Sequence, residues 1–259
     1  GLYRIKDVNL ELGDFVGFNK SYEDIEIKRE LIIFPKKIDL NESISPIGSL
    51  NGDISVKRWI IDDPLMTIGI REYTGNEPQK FIHWPSSAKY NNLMVKNFDF
   101  TTDNSVLIVL NIESAKPYWR GIDDDRIEKA ISITRAVMEE FEKLRIPYGL
   151  ASNACNAGSN YIKGHFYHPG LGANHLYHFL EILGSMSYTV SFTFEETLKN
   201  ISRRQGNYTT VAIITPKILE SYIEPINLLG KTVNKTVVIS VDDKYLEDLN
   251  KNIIRFRGD

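Results

Sequence analysis

The chain has 259 residues, enough to bury a substantial core as one large domain or two modest ones. Its 42% hydrophobic and 25% charged residues are ordinary for a globular protein, and a net charge of −3 gives no general pull towards nucleic acid, so that partner class is set aside. The single cysteine, Cys155, excludes an internal disulfide framework and fits a reducing compartment.

No apolar run approaches the roughly 20 residues needed to cross a bilayer. The sequence opens directly in strand-like "GLYRIKDVNLEL", with no initiator Met or signal-like segment, and is expected to be a piece of a longer protein. Sequons beginning at Asn41, Asn200, Asn207 and Asn234 carry no meaning without secretion.

From Leu2 to about Phe100 the pattern is of short β-rich runs, "YRIKDVNLEL", "DIEIKRELIIF", "ISVKRWII" and "LMTIGIREY". Turn-forming pieces such as "LGDFVGF", "NESISPIGSLNG" and "DDP" separate them. Alternation in "IEIKRELIIF" predicts a sheet with one solvated face, so residues 1–100 are expected to form a small antiparallel β domain.

From about Thr101 the period changes, and residues 101–259 are expected to form an α/β domain. Val106 to Leu110 is a continuous apolar run, suited to a strand covered on both faces. Asp123 to Asp125 offer N-caps for a helix to about Arg145, whose stripe is Ile127, Ile131, Thr134, Val137, Met138, Phe141 and Leu144. "YGLASNA" reads as a strand, "NYIKGHFYHP" as an edge strand, and "NHLYHFLEILGSMS" and "FEETLKNISRRQG" as helices. "TTVAIIT" and "KTVVISV" read as strands around a helix from Lys217 to Leu229 closed by Gly230, with "DKYLEDLNK" a short helix before "NIIRFR". This alternation predicts a mostly parallel sheet with helices on both faces.

Between the halves lies "IREYTGNEPQKFIHWPSSAKYNNLMVKNFD", Ile70 to Asp99. Its aromatic and basic residues are read as a packed domain junction, anchored by Phe81 and a buried Trp84, with Arg71, Lys80 and Lys89 paired locally. Here the sequence resembles the bacterial "domain of unknown function 58" family, whose signature runs Arg-x-Tyr, a Gly-Asp turn, an Arg, Ile-x-Trp, Ser-Ala-Arg and a Leu-x-Val-Lys segment. This chain carries Arg71 and Tyr73, Lys80 for the Arg, Ile82 and Trp84, Ser87-Ala88-Lys89, then Leu93, Val95 and Lys96. Asn76-Glu77 stand in place of Gly-Asp; Asn tolerates the left-handed conformation and Glu keeps the charge.

"LGDFVGF" and "LIIFP" also look like segments of that family, and "VLIVLNIES" and "GLASNA" like the first strands of its von Willebrand factor type A-like domain. The resemblance implies a type A-like (Rossmann-like) sheet behind the β domain. It also implies an N-terminal pair of transmembrane helices ahead of this chain, a soluble part at the cytoplasmic face of the cell membrane, and association with a MoxR-class AAA+ ATPase.

Type A domains that bind Mg²⁺ use Asp-x-Ser-x-Ser after the first strand, a Thr from a neighbouring loop and an Asp after the fourth strand. Placed on this chain, the first motif falls on Asn111, Glu113 and Ala115, with Ser114 beside it, and the last Asp on Thr215. Mg²⁺ wants an octahedral shell of hard oxygens. One carboxylate among scattered neutral oxygens predicts a degenerate adhesion site with no metal. The loop remains a candidate recognition surface at the carboxyl edge of the sheet. Asn111 to Trp119, with Tyr118, Trp119 and Arg120 in "SAKPYWRG" its strongest part, His168 to Asn174 with Gly170 and Gly172, and Thr215 to Lys217 are expected to form it. Trp119 as a lid folded over the first helix is the competing reading.

His165, His168, His175 and His178 invite a zinc reading, but no Cys or carboxylate cluster completes a ligand set, and local packing is preferred. No nucleophile elbow, P-loop or His-Glu-x-x-His is present. The expected function is non-catalytic protein–protein interaction without a cofactor. The alternatives are a metal- or anion-dependent adhesion switch using Asn111, Glu113 and Ser114, and an enzyme with a dispersed site around His168 and Cys155.

Overall fold

A computed structural model describes residues 1–13, 20–40, 67–73, 82–98, 105–158, 164–204 and 208–258. Strands β1 (Leu2–Gly13) and β2 (Lys20–Ile32) pair antiparallel from Leu2↔Ile32 to Gly13↔Lys20, with an irregularity between Ile5 and Asp7. Arg4 meets Glu30 directly opposite at 2.9 Å, and Lys20 bonds Glu11. β3 (Thr67–Glu72) runs antiparallel to β4 (Met94–Phe98), and the helix α1 (Trp84–Tyr90) lies between them in sequence. Among the described residues the first hundred thus form two separate two-stranded ribbons. "NESISPIGSLNG", "ISVKRWII" and most of "LGDFVGF" lie outside them.

The expectation of a buried Trp84 is overturned. Period-2 spacing would put Ile82 and Trp84 on one face, but the extended backbone stops at Ile82, which bridges Val95. His83 then caps α1, its Nδ1 accepting from Ser86 N at 3.3 Å, and Trp84 becomes the first residue of a helix with no buried side chain. Ile82 and Val95 are the buried pair, while Trp84 is 64% exposed. Ser87 ties the helix down, its Oγ donating to His83 O at 3.0 Å and accepting from Met94 N at 2.8 Å. Trp84→Ala should therefore change the unfolding free energy by less than about 0.5 kcal/mol, as surface substitutions do. A loss of several kilocalories in urea denaturation would refute this placement.

The second half begins with β5 (Val106–Leu110), buried at every position. Helix α2 (Asp124–Leu144) starts where Asp123 accepts from Arg126 N at 3.2 Å, and ends at Arg145 in the left-handed region. Next come β6 (Tyr148–Ser152), β7 (Ala154–Asn156), β8 (His165–Gly170), α3 (Ala173–Ser185) and β9 (Met186–Val190). They are followed by α4 (Phe194–Arg203), opened by a Thr193–Glu196 capping box, β10 (Thr210–Thr215), α5 (Glu220–Thr232), β11 (Lys235–Ser240) and β12 (Ile254–Arg257).

The main sheet has six strands in the order β12-β11-β10-β5-β6-β8. All neighbours are parallel except β8, which runs antiparallel along the edge. β5 lies in the interior, and its alternation feeds two cores. Val106, Ile108 and Leu110 pack with Ile131, Phe141 and Phe179 of α2 and α3; Leu107 and Val109 pack with Phe194, Tyr222 and Ile226 of α4 and α5. Residues after β2 are strapped to the first core: Ile38 and Leu40 pack on it, and Arg135 Nη1 donates to Pro35 O at 2.5 Å. No helix among the described residues is long and apolar enough to cross a membrane.

Three local readings need correction. Gly230 does not close α5, which continues to Thr232; a Cβ there would meet Ile253 at 3.1 Å, so close packing accounts for the glycine. "DKYLEDLNK" is a run of turns, because Asp242 Oδ1 takes Lys244 N at 2.8 Å and Tyr245 adopts φ +63°. Met186 and Ser187 leave the predicted helix to pair β9 antiparallel with β7.

Candidate functional site

β5 carries Asn111 into the gap above β10, where Asn111 N continues the ladder by donating to Ile214 O at 2.9 Å. The Asn111 side chain, fully buried, is used four ways. Its Nδ2 donates to Thr215 Oγ1 at 2.9 Å and Glu113 O at 3.1 Å. Its Oδ1 accepts from Glu113 N and Asn153 Nδ2, both at 2.9 Å. Asn153 in turn accepts from Ile112 N at 3.0 Å, and Thr215 Oγ1 donates to Lys217 O at 2.8 Å. Ser114 Oγ donates to Gly121 O at 2.7 Å and accepts from Asp123 N at 3.2 Å.

Glu113 is buried and points away from Asn111's amide, across to the start of α4. Its Oε2 accepts from Phe194 N at 3.0 Å, placing a carboxylate on a helix N-terminus. Beside it lies Tyr222, fully buried and edge-on to Phe194 with ring centres 4.9 Å apart. The Tyr222 hydroxyl faces Glu113 and Asn111 but has no well-formed hydrogen bond among the described residues. Burial first, and the Glu113 charge second, push its pKa up, so the phenol stays protonated. Lys116 Nζ lies 5.2 Å from the Tyr222 ring centre and bonds Glu195 Oε1.

A divalent ion needs oxygens free to turn towards it. Here both acceptor positions of Asn111 Oδ1 are taken, the Thr215 hydroxyl is committed to Lys217, one Glu113 oxygen holds Phe194, and Ala115 has no donor. The donor set does not fit Mg²⁺. Among the described residues no trio of His, Cys, Asp or Glu could hold a metal elsewhere.

The structure gathers Asn111, Glu113, Ser114 and Thr215 at one sheet end but puts the glycines elsewhere. Because β8 is antiparallel, Gly170 pairs with Tyr148 at the start of β6, the opposite end from Asn111. The nearby α3 N-terminus is already filled, with Gly172 N donating to Glu142 Oε1 at 3.0 Å. Gly170 itself packs so close to His175 that a Cβ would meet the ring at 2.9 Å.

The histidines pack with aromatic rings. His175 lies 4.3 Å from Phe179 and bonds Tyr148 O at 2.8 Å; His178 stands edge-on to Tyr167, and His168 to Phe166. His165 is buried and stacked on Tyr167, and burial lowers its pKa. Cys155 is buried on β7 while His168 is exposed on β8.

Tyr118–Arg120 form a short 3-10 turn after the Lys116–Pro117 cis peptide. Trp119 is 68% exposed, which removes the lid reading; Tyr118 meets it edge-on at 5.2 Å and packs partly on the first core. Ile122 and Phe192 are exposed on loops of the same edge.

Of the signature, Arg71 Nη1 donates to Glu72 O at 3.5 Å, Tyr73 N to Leu93 O at 2.9 Å, and Lys89 lies over Tyr90 at 5.7 Å. Lys96 sits on β4 opposite Ile70. Glu77, Lys80 and Phe81 lie outside the described residues.

Sequence reasoning missed Asn153, Phe194, Tyr222 and Glu195, and gave Lys116 no role beyond its place in the "SAKPYWRG" loop. Only Asn153 had a local signal, since it follows β6 as Asn111 follows β5, and the two strands are in register at Leu110↔Ser152. No protein-family model and no curated protein matches the chain.

Proposed function

We propose that this chain is a non-catalytic interaction module, the soluble part of a membrane-anchored bacterial protein of the "domain of unknown function 58" type. Its partner in this reading is a MoxR-class AAA+ ATPase, met at the cytoplasmic face of the membrane. One observation carries the non-catalytic, metal-free reading: the polar groups where a type A domain would hold its ion bond one another, while apolar side chains beside them face solvent. Mutual hydrogen bonding of Asn111, Glu113, Asn153 and Thr215 rigidifies the surface and commits those groups. Exposed Trp119, with Arg120 beside it and Ile122 and Phe192 on the same edge, supplies residue types that anchor interfaces. The adhesion-switch reading would require Glu113 to release Phe194 N, and nothing in the geometry favours that.

Trp119→Ala tests the surface more cleanly than any change at Tyr118, which packs on the core. The melting temperature should stay unchanged. Capture of a purified MoxR-class ATPase from the same organism should weaken by roughly tenfold or more, the loss expected of a hot-spot aromatic. Undiminished capture would exclude this edge as the docking surface.

A further inference from the structure

His165 opens β8, the last strand of the six-stranded sheet, and pairs with Ser152 at the carboxyl end of β6. It is 8% exposed, its ring stacks on Tyr167 with centres 6.1 Å apart, and its Nε2 is buried with no hydrogen-bond partner among the described residues. The backbone just before it is wedged in place, since a Cβ on Gly164 would meet Ser152 O and Ser191 Oγ, both at 2.8 Å. Ser191 in turn donates twice to Asn153 O, from its N at 2.8 Å and its Oγ at 2.9 Å. The ring therefore reaches water only if the start of β8 lifts away from β6 and from this joint. Beyond Tyr167 stands His178 of α3, edge-on to the tyrosine at 5.6 Å, while Arg204 lies over Phe166 on the opposite face of the strand. Neither Glu181 on α3 nor Cys155 on β7 offsets a charge at the ring: burial is the whole cause of its lowered pKa.

We propose that His165 is an acid-sensitive latch on this edge strand. A proton on its ring frees the start of β8 from β6 and loosens the Asn153–Ser191 joint, at the sheet end that carries Asn111. An edge strand is suited to this, because it can leave without breaking the pairing of any strand but its one neighbour. The released ring takes up a proton at the ordinary histidine value of about 6.5, whereas the buried ring resists one. The latch is thus fully closed above that pH, and it weakens as the pH falls from there towards the folded-state value. The device does not depend on which partner docks at that end of the sheet.

Hydrogen exchange of the whole chain tests it, with protection measured against an unstructured chain at the same pH. Protection of the β8 amides should fall about tenfold for each pH unit below about 6.5, while that of β11 holds steady. His165→Phe keeps a flat ring against Tyr167 and cannot take a proton, so its β8 protection should not change with pH. Proton resonance of the wild-type His165 ring gives a second reading that needs no variant, with a titration midpoint below about 6.5. Constant β8 protection in the wild type, an equal fall in His165→Phe, an equal fall at β11, or a ring midpoint at or above the ordinary value would each overturn the proposal.

Discussion

Phe194→Ala should lower the unfolding free energy by about 3–5 kcal/mol, the loss expected of a large aromatic removed from a closed core. Phe194 is fully buried among Leu107, Val109, Leu198 and Ile226, in the core beneath α4 and α5. It is also the first residue of α4, and its ring is the edge-on neighbour of Tyr222. The cavity would open directly under the Glu113 bond to its backbone amide, so neighbouring side chains could fill it only by disturbing that bond. Urea denaturation followed by fluorescence gives the number. A loss under about 1 kcal/mol would mean that α4 does not pack on the sheet in this way.

Asn111→Ala should cost about 2–4 kcal/mol, although it deletes only a small polar side chain. The cost lies in what is left behind. Glu113 N and Asn153 Nδ2 lose their acceptor, and Thr215 Oγ1 loses a donor, all in a region closed to water. Each buried orphan costs about 1–3 kcal/mol, reduced at Thr215 Oγ1, which keeps its bond to Lys217 O. Asn111→Asp should not restore the native stability. It keeps the acceptor but loses both Nδ2 bonds, and it places a second carboxylate beside Glu113. Thermal melting of both variants separates these terms; an Asp variant as stable as the wild type would show that the amide donors carry nothing.

The sheet was legible where local pattern and global burial agree. Val106–Leu110 has no polar residue, and a strand flanked by parallel neighbours and covered on both faces needs none. The α2 stripe became the buried face of that helix, and the mixed sequence of β8 matched its place on an edge. Trp84 shows the limit. An aromatic two residues after Ile82 has the spacing of a strand, and the cap at His83 that breaks the strand leaves only a faint trace in the sequence. "DKYLEDLNK" is the same lesson in reverse. Leu246 and Leu249 are both buried, as a helix face would be, but an Asx turn at Asp242 sets the backbone instead.

At the site, Asn111, Glu113, Ser114 and Thr215 were legible because strand ends are legible. What they do there was not. Glu113 meets Phe194 across 81 residues and Lys116 meets Glu195 across 79. Pairings of that span leave no local spacing to read.

The strand order also sets a schedule for making the protein. Val106 pairs with Tyr148 on one flank, but on the other it waits for Thr210, 104 residues further along the chain. At a synthesis rate of about 5–20 residues per second, that flank of five consecutive apolar residues has no native partner for roughly 5–20 s. Every later strand of the sheet emerges after it, and β11 and β12 can add only once β10 has docked. The strand at the centre of the finished sheet is thus the one that spends longest half-paired while the chain is still growing.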